Sequence, residues 1–108
     1  MNLIIGSHVS YNNKSQLLGS VKEALSYKAN TFMFYTGAPQ NTNRGVIEDS
    51  LTMEAYKLMK ENNIALENEI VHAPYIVNLA NFNNFDFSVS FLINEVERCS
   101  TLGIKYLV

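Results

Sequence analysis

The chain reads as an α/β protein built on parallel strands, and three observations carry that reading. Short apolar runs alternate with longer stretches of helical period. Each run ends in polar loop residues. The alternation continues, β-α-β-α-β-α-β, to the last residue. Strands separated by helices imply a parallel sheet joined by right-handed crossovers. Two architectures use this order, the doubly wound open sheet and the (βα)8 barrel, and pattern alone does not choose between them. No glycine-rich phosphate fingerprint follows the first strand, which weakens the dinucleotide-binding form of the open sheet.

The elements follow in order. Leu3 to Val9 is short and rich in Leu, Ile and Val, and the loop residues Asn12 and Asn13 come after it, so it reads as a buried strand. From Ser15 to Lys28, Leu17, Leu18, Val21, Ala24 and Leu25 make one apolar helix face. Ser20 and Glu23 match a capping box by letter but fall mid-helix, and are discounted. Thr31 to Tyr35 (TFMFY) is a second buried strand, followed by the polar loop Thr36 to Gly45. Leu51, Ala55, Leu58 and Met59 give a second helix face, ended by Asn62 and Asn63. Glu69 to His72 is a third, shorter strand. Asp86 reads as the N-cap of a third helix whose apolar face is Val89, Leu92, Val96 and Cys99, with Gly103 as its stop. Ile104 to Val108 is a fourth strand. Phe32, Phe34, Phe87 and Phe91 fit packing positions, while Glu95, Glu97 and Arg98 read as a solvated helix surface.

Composition narrows the classes. With 108 residues the chain holds one domain. It is 47% hydrophobic, as globular chains are, but only 17% charged, below the typical quarter or so, which implies extensive burial, in part against something this chain lacks. The net charge of −2 does not announce a nucleic-acid binder; a DNA enzyme with this balance needs local positive charge, from a few basic side chains or bound metal. The single cysteine, Cys99, has no internal partner, which fits a reducing compartment. MNLIIGSHVS lacks the basic, then long apolar pattern of a signal peptide. No apolar run approaches the roughly 20 residues that span a membrane. A cytoplasmic protein without a membrane partner is expected.

Residues with chemical potential cluster just after strands. His8 and Ser10 follow the first, Gln40, Asn41 and Arg44 the second, and His72, Tyr75 and Asn78 the third. In parallel α/β folds the C-terminal ends of strands form the working face. His72, ending EIVH, could be a zinc ligand held rigidly at a strand end, or a histidine bonded to a loop carbonyl. His8 could orient a ligand or phosphate, or be a satisfied, partly buried histidine. The loop TGAPQNTNR offers amide and guanidinium donors and no carboxylate, which suits phosphates, sugars and minor-groove edges, or simply solvent. Tyr75-Ile76 pairs a flat aromatic with an apolar wedge, able to replace a nucleotide in a stack or to fill a core.

GSHVS, ANTFMFYTGAPQNTNR, VHAPYIVNLAN and ERCSTLGIKYLV, in register over nearly the whole chain, resemble the N-terminal part of the endonuclease IV family of abasic-site endonucleases. The resemblance implies a (βα)8 barrel, of which residues 1–108 would form the first three and a half βα units of a single truncated domain. It implies three zinc ions in the full-length enzyme, hydrolysis of the phosphodiester 5′ to an abasic site leaving a 3′-hydroxyl and a 5′-deoxyribose phosphate, double-stranded DNA with abasic sites as partner, and a monomeric parent. Carried over residue by residue, His72 matches a histidine of the zinc cluster. Gln40, with Arg44 beside it, matches the segment entering the minor groove. Tyr75 and Ile76 match residues that fill the gap when the abasic nucleotide turns out, and His8 lines the site. The next ligand of the family stands in a His-Pro-Gly motif after the fourth strand, and the chain stops at Val108. The remaining ligands and the catalytic carboxylates are therefore expected outside it. The isolated chain is expected to be inactive and, with LIIGSHV and IKYLV as open edges, prone to association. Two other readings stand beside this one: a metal-dependent sugar isomerase or epimerase on a similar barrel, disfavoured by the amide-rich loop, and a non-catalytic α/β binding module.

Overall fold

The computed structural model describes residues 3–38, 40, 43–74, 77, 80, 83 and 85–108. Four strands, β1 (Gly6–His8), β2 (Thr31–Phe34), β3 (Ile70–Val71) and β4 (Tyr106–Leu107), lie side by side in chain order and are parallel throughout. Between them run α1 (Gln16–Ser26), α2 (Asp49–Glu61) and α3 (Phe85–Leu102). The expected alternation is observed, with each strand shorter than its apolar run. Among the described residues no helix is long and apolar enough to cross a membrane.

Strand alternation decides which side chains the helices cover. In β2, Phe32 and Phe34 are buried, while Thr31 and Met33 are half-exposed. The two phenylalanines join Leu17, Val21 and Ala24 of α1, Ala55 and Met59 of α2, Val71 of β3, and Cys99 and Leu102 of α3 in one core. Cys99 is 4% exposed, and burial above all pushes its thiol up to about 11. Helix ends follow the sequence signals. Asn62 caps α2, Asn63 takes a left-handed φ of 59°, and Gly103 takes φ 77° after α3. Glycine carries no side-chain penalty there. Gly6 serves close approach instead: a β-carbon at this position would strike the Thr31 carbonyl of its β2 partner.

Four expectations are corrected. Leu3, Ile4 and Ile5 are not buried: they are 58%, 56% and 60% exposed. β1 lies at the edge of the sheet with β2 as its one neighbour, and nothing among the described residues covers this run. Of the expected apolar face of α3 only Cys99 is fully buried; Val89 and Leu92 are half-buried and Val96 is 53% exposed, and the buried face comprises Ser88, Phe91, Glu95, Arg98, Cys99 and Leu102. The helix is turned so that two charged residues enter and both bond to Thr36, and Phe87, stacked on Phe91 at 5.8 Å, is left on the surface. Glu95 and Arg98 are therefore not solvated, whereas Glu97 is. Asp86 is not the cap, because α3 already begins at Phe85; its carboxylate sits in the first turn, where the helix dipole favours it.

Glu69 is the one buried carboxyl near β3. It has no exposure; one oxygen accepts the Phe32 N–H at 3.0 Å, and the other has no partner among the described residues. Burial raises its pKa to about 8, against the weaker opposing effect of the Phe32 hydrogen bond. The folded state holds this proton more tightly than the unfolded chain does, whose carboxyl titrates near 4.5. The stabilising contribution of the neutral form is thus complete below the unfolded value and is lost as pH rises through about 8. Glu69→Gln should remove this dependence and, above pH 8, stabilise the fold by on the order of a few kcal/mol. Thermal unfolding of both proteins across the pH range tests it, and parallel stability–pH curves would refute the assignment.

Candidate functional site

Parallel register carries three aromatic rings to one end of the sheet. β1 ends on His8, β2 runs on into Tyr35, and β3 into His72. Ladder hydrogen bonds continue past the strands and fix these exits: Val9 N–H donates to Met33 O (2.8 Å), His72 N–H to Phe34 O (2.9 Å), and Ala73 N–H to Val108 O (2.6 Å). Tyr35 stands between the imidazoles, with ring centroids 4.8 Å from His8 and 5.0 Å from His72; the histidines are 6.5 Å apart. A cleft of about 350 Å³ opens beside them, lined by His8, Ser10, Tyr11, Tyr35, Gly37 and Ala38.

The imidazoles are prepared differently. His72 Nδ1 lies 2.6 Å from the Ala73 carbonyl oxygen. A carbonyl can only accept, so Nδ1 carries the proton; in the neutral imidazole Nε2 then presents its lone pair, the arrangement common to metal-ligating histidines. The pKa of His8 is lowered, first by partial desolvation and then by His72, with Glu23 opposing. A neutral His8 is thereby favoured near pH 7. Among the described residues no group of three or more His, Cys, Asp or Glu could hold a metal. His72 fits the role of one ligand, with His8 nearby, and the pair is not a complete site for an ion that takes about three protein ligands when catalytic.

The connection from β2 to α2 is fastened from two sides. From α1, the buried Gln16 donates through Nε2 to Val46 O (2.7 Å) and accepts the Glu48 N–H at Oε1 (2.9 Å). From α3, Glu95 accepts Thr36 Oγ1–H (2.7 Å) and Arg44 Nε–H (2.7 Å). Arg98 donates to Thr36 Oγ1 (3.0 Å), Thr36 O (2.8 Å) and Gly45 O (2.7 Å).

The sequence relatives bear on what stands at these exits. No protein-family model matches the chain. It is 50% identical to a protein named probable endonuclease 4 of Mesoplasma florum, an alignment covering 97% of this chain and 38% of that protein. It is 54% identical to the probable endonuclease 4 of Ureaplasma urealyticum, covering 99% and 36%. The chain is homologous to endonuclease IV. It spans little more than a third of the length of these curated relatives. The fold agrees: the crystal structure of endonuclease IV from Thermus thermophilus superposes with a TM-score of 0.78 at 23% identity, over 95% of this chain and 39% of that one. Of the two architectures open to the alternating pattern, the four parallel strands and their helices thus match part of the endonuclease IV barrel.

Against that endonuclease IV frame, the expected site residues divide. His8 and His72 are brought together, with Tyr35 added between them. Gln40 is exposed on the loop. Arg44 does not reach outward: its side chain is 5% exposed, paired with Glu95, and its guanidinium lies 4.9 Å over the Phe91 ring. This internal bond supplies the cation that the buried carboxylate needs. Tyr75, Ile76, Asn41 and Asn78 lie outside the described residues. Sequence reasoning does not single out Tyr35 or Gln16, and it misplaces Glu95 and Arg98. Tyr35 is recognisable as the residue at the β2 exit that corresponds to His8 and His72. The spacing of Ser88, Phe91, Glu95, Arg98 and Leu102, three or four apart, marks the true buried face of α3. If His72 contributes to the lowered pKa of His8, His8 should titrate below 6.5 and move upward in His72→Gln. Histidine-resolved NMR titration reads this directly; an unshifted His8 in the variant would contradict the coupling.

Proposed function

We propose that this chain is the N-terminal part of a single-domain, barrel-shaped DNA-repair endonuclease that hydrolyses the phosphodiester 5′ to an abasic site, leaving a 3′-hydroxyl and a 5′-deoxyribose phosphate. The observation carrying the reading is the His72 imidazole, with its Nδ1–H tied to the Ala73 carbonyl at a strand exit, in a chain about half identical to proteins named probable endonuclease 4. The proposed cofactor is zinc, three ions in the full-length protein. When bound, zinc supplies hydroxide near neutral pH and neutralises charge on an in-line displacement at phosphorus.

This chain's residues would then bind and orient. His72 Nε2 is the nitrogen that would hold metal, and the Ala73 carbonyl keeps it in the right tautomer. His8, favoured neutral, lines the mouth and can donate or accept one hydrogen bond toward a phosphate or water. Gln40, exposed on its loop, contacts the minor groove. Tyr75 and Ile76 fill the gap left by the displaced abasic nucleotide. Arg44 serves this surface indirectly, by holding the loop. The other ligands and the catalytic carboxylates belong to the part of the relatives that this chain does not span. The protein acts as a cytoplasmic monomer on double-stranded DNA.

In the full-length protein, His72→Ala should lower zinc content and abolish most cleavage of an abasic-site duplex; full zinc and full activity in that variant would refute the ligand role. Tyr75→Ala should instead leave zinc in place and weaken binding to abasic duplex by roughly 1–3 kcal/mol. Unchanged affinity would make Tyr75 a packing residue.

A further inference from the structure

Two guanidinium groups and one carboxylate are enclosed between α3 and the loop that leaves β2. Glu95 and Thr36 have no exposure, Arg98 is 8% exposed, and the Arg44 side chain 5%. The contacts are shared closely. Thr36 Oγ1 donates to Glu95 and accepts from Arg98, while its carbonyl also accepts from Arg98. Arg98 reaches the Gly45 carbonyl, and Arg44 bonds back to the Ala38 carbonyl at 3.2 Å. Thr36 and Ala38 stand at the start of the loop, Arg44 and Gly45 at its end. Both ends are therefore tied to one turn of one helix, across 59 and 62 residues of sequence for the Thr36 contacts.

We infer that Glu95 and Arg98 are positioning residues, a buried ionic clamp that ties Thr36 and Ala38 to Arg44 and Gly45, the two flanks of Gln40, beside the mouth formed by His8, Tyr35 and His72. The clamp follows from the contacts; its consequence for DNA rests on the reading given under Proposed function. Hydrogen-bonded charges buried this well resist opening, because losing one partner strands another charge without water. Geometry alone is not the whole effect. Two cations against one anion leave an excess of one positive charge beneath the loop, in a chain whose formal net charge is −2. That local excess favours a phosphate backbone on this surface.

Trypsin reads the clamp at one bond. It cuts after Arg44 only when that side chain leaves Glu95 and enters the protease. In the native chain the Arg44–Gly45 bond should resist cleavage. In Glu95→Gln it should be cut roughly tenfold faster or more, with cleavage after Lys22 and Lys57 in the helices unchanged. The protected Arg44 Nε–H resonance should disappear alongside. Arg44→Lys keeps a trypsin site while losing the Nε contact, and should behave likewise if Glu95→Gln fails to fold by circular dichroism. Equal acceleration at all sites, or no acceleration at Arg44–Gly45, would overturn the clamp and leave the cluster as ordinary core. In the full-length protein the same substitution should weaken abasic-duplex binding with zinc content retained. Selective cutting with unchanged duplex affinity would uphold the clamp and remove the nucleic-acid role of the loop.

Discussion

A carboxylate without access to water must be answered by cations and hydrogen-bond donors, and Glu95 is the group around which this structure is arranged. Its two oxygens take Thr36 and Arg44, and Arg98, one turn further along α3, takes the Thr36 and Gly45 carbonyls. The demand fixes the rotation of α3, which decides that Phe91, Cys99 and Leu102 enter the core while Val96 stays outside. It also decides the path of the loop after β2. Replacing such a group by an apolar side chain would relieve desolvation, but would leave the two ends of that loop without a common anchor.

The parallel sheet supplies the complementary constraint. Four strands running one way, in chain order, present all their exits at one end. Continuing the ladder past the last paired residue, through Val9, His72 and Ala73, gives the exit side chains the rigidity of the sheet rather than that of a loop. Hence three rings from three separate strands meet within 6.5 Å, and one of them is set in a defined tautomer by the carbonyl of its own successor. Chemistry that needs a fixed nitrogen lone pair can be placed there without a dedicated scaffold.

Much of this is legible in the sequence, and what is not has a common cause. Strand and helix order, the stops at Asn62 and Gly103, and the placing of His8 and His72 at strand exits all follow from local pattern. The turn of α3 does not. Hydropathy places Glu95 and Arg98 in water, and only partners some sixty residues away make their burial tolerable. Arg44 is misread for the same reason: an arginine on a polar loop looks outward until its carboxylate is known. Leu3, Ile4 and Ile5 fail in the opposite sense, being apolar by sequence yet exposed, because burial depends on a covering surface that a strand cannot itself encode.

Cys99 gives these features a practical use. It packs in the core beside the clamp, and its thiol, held up near 11, is protonated at neutral pH, whereas alkylating reagents attack the thiolate. Burial and a raised pKa together should make the native cysteine slow to react with maleimides in the folded chain. A second cysteine placed at the exposed Gln40 would therefore be the preferred site of labelling, and a fluorophore or spin label there would report on its surroundings without first stripping the chain of its own thiol.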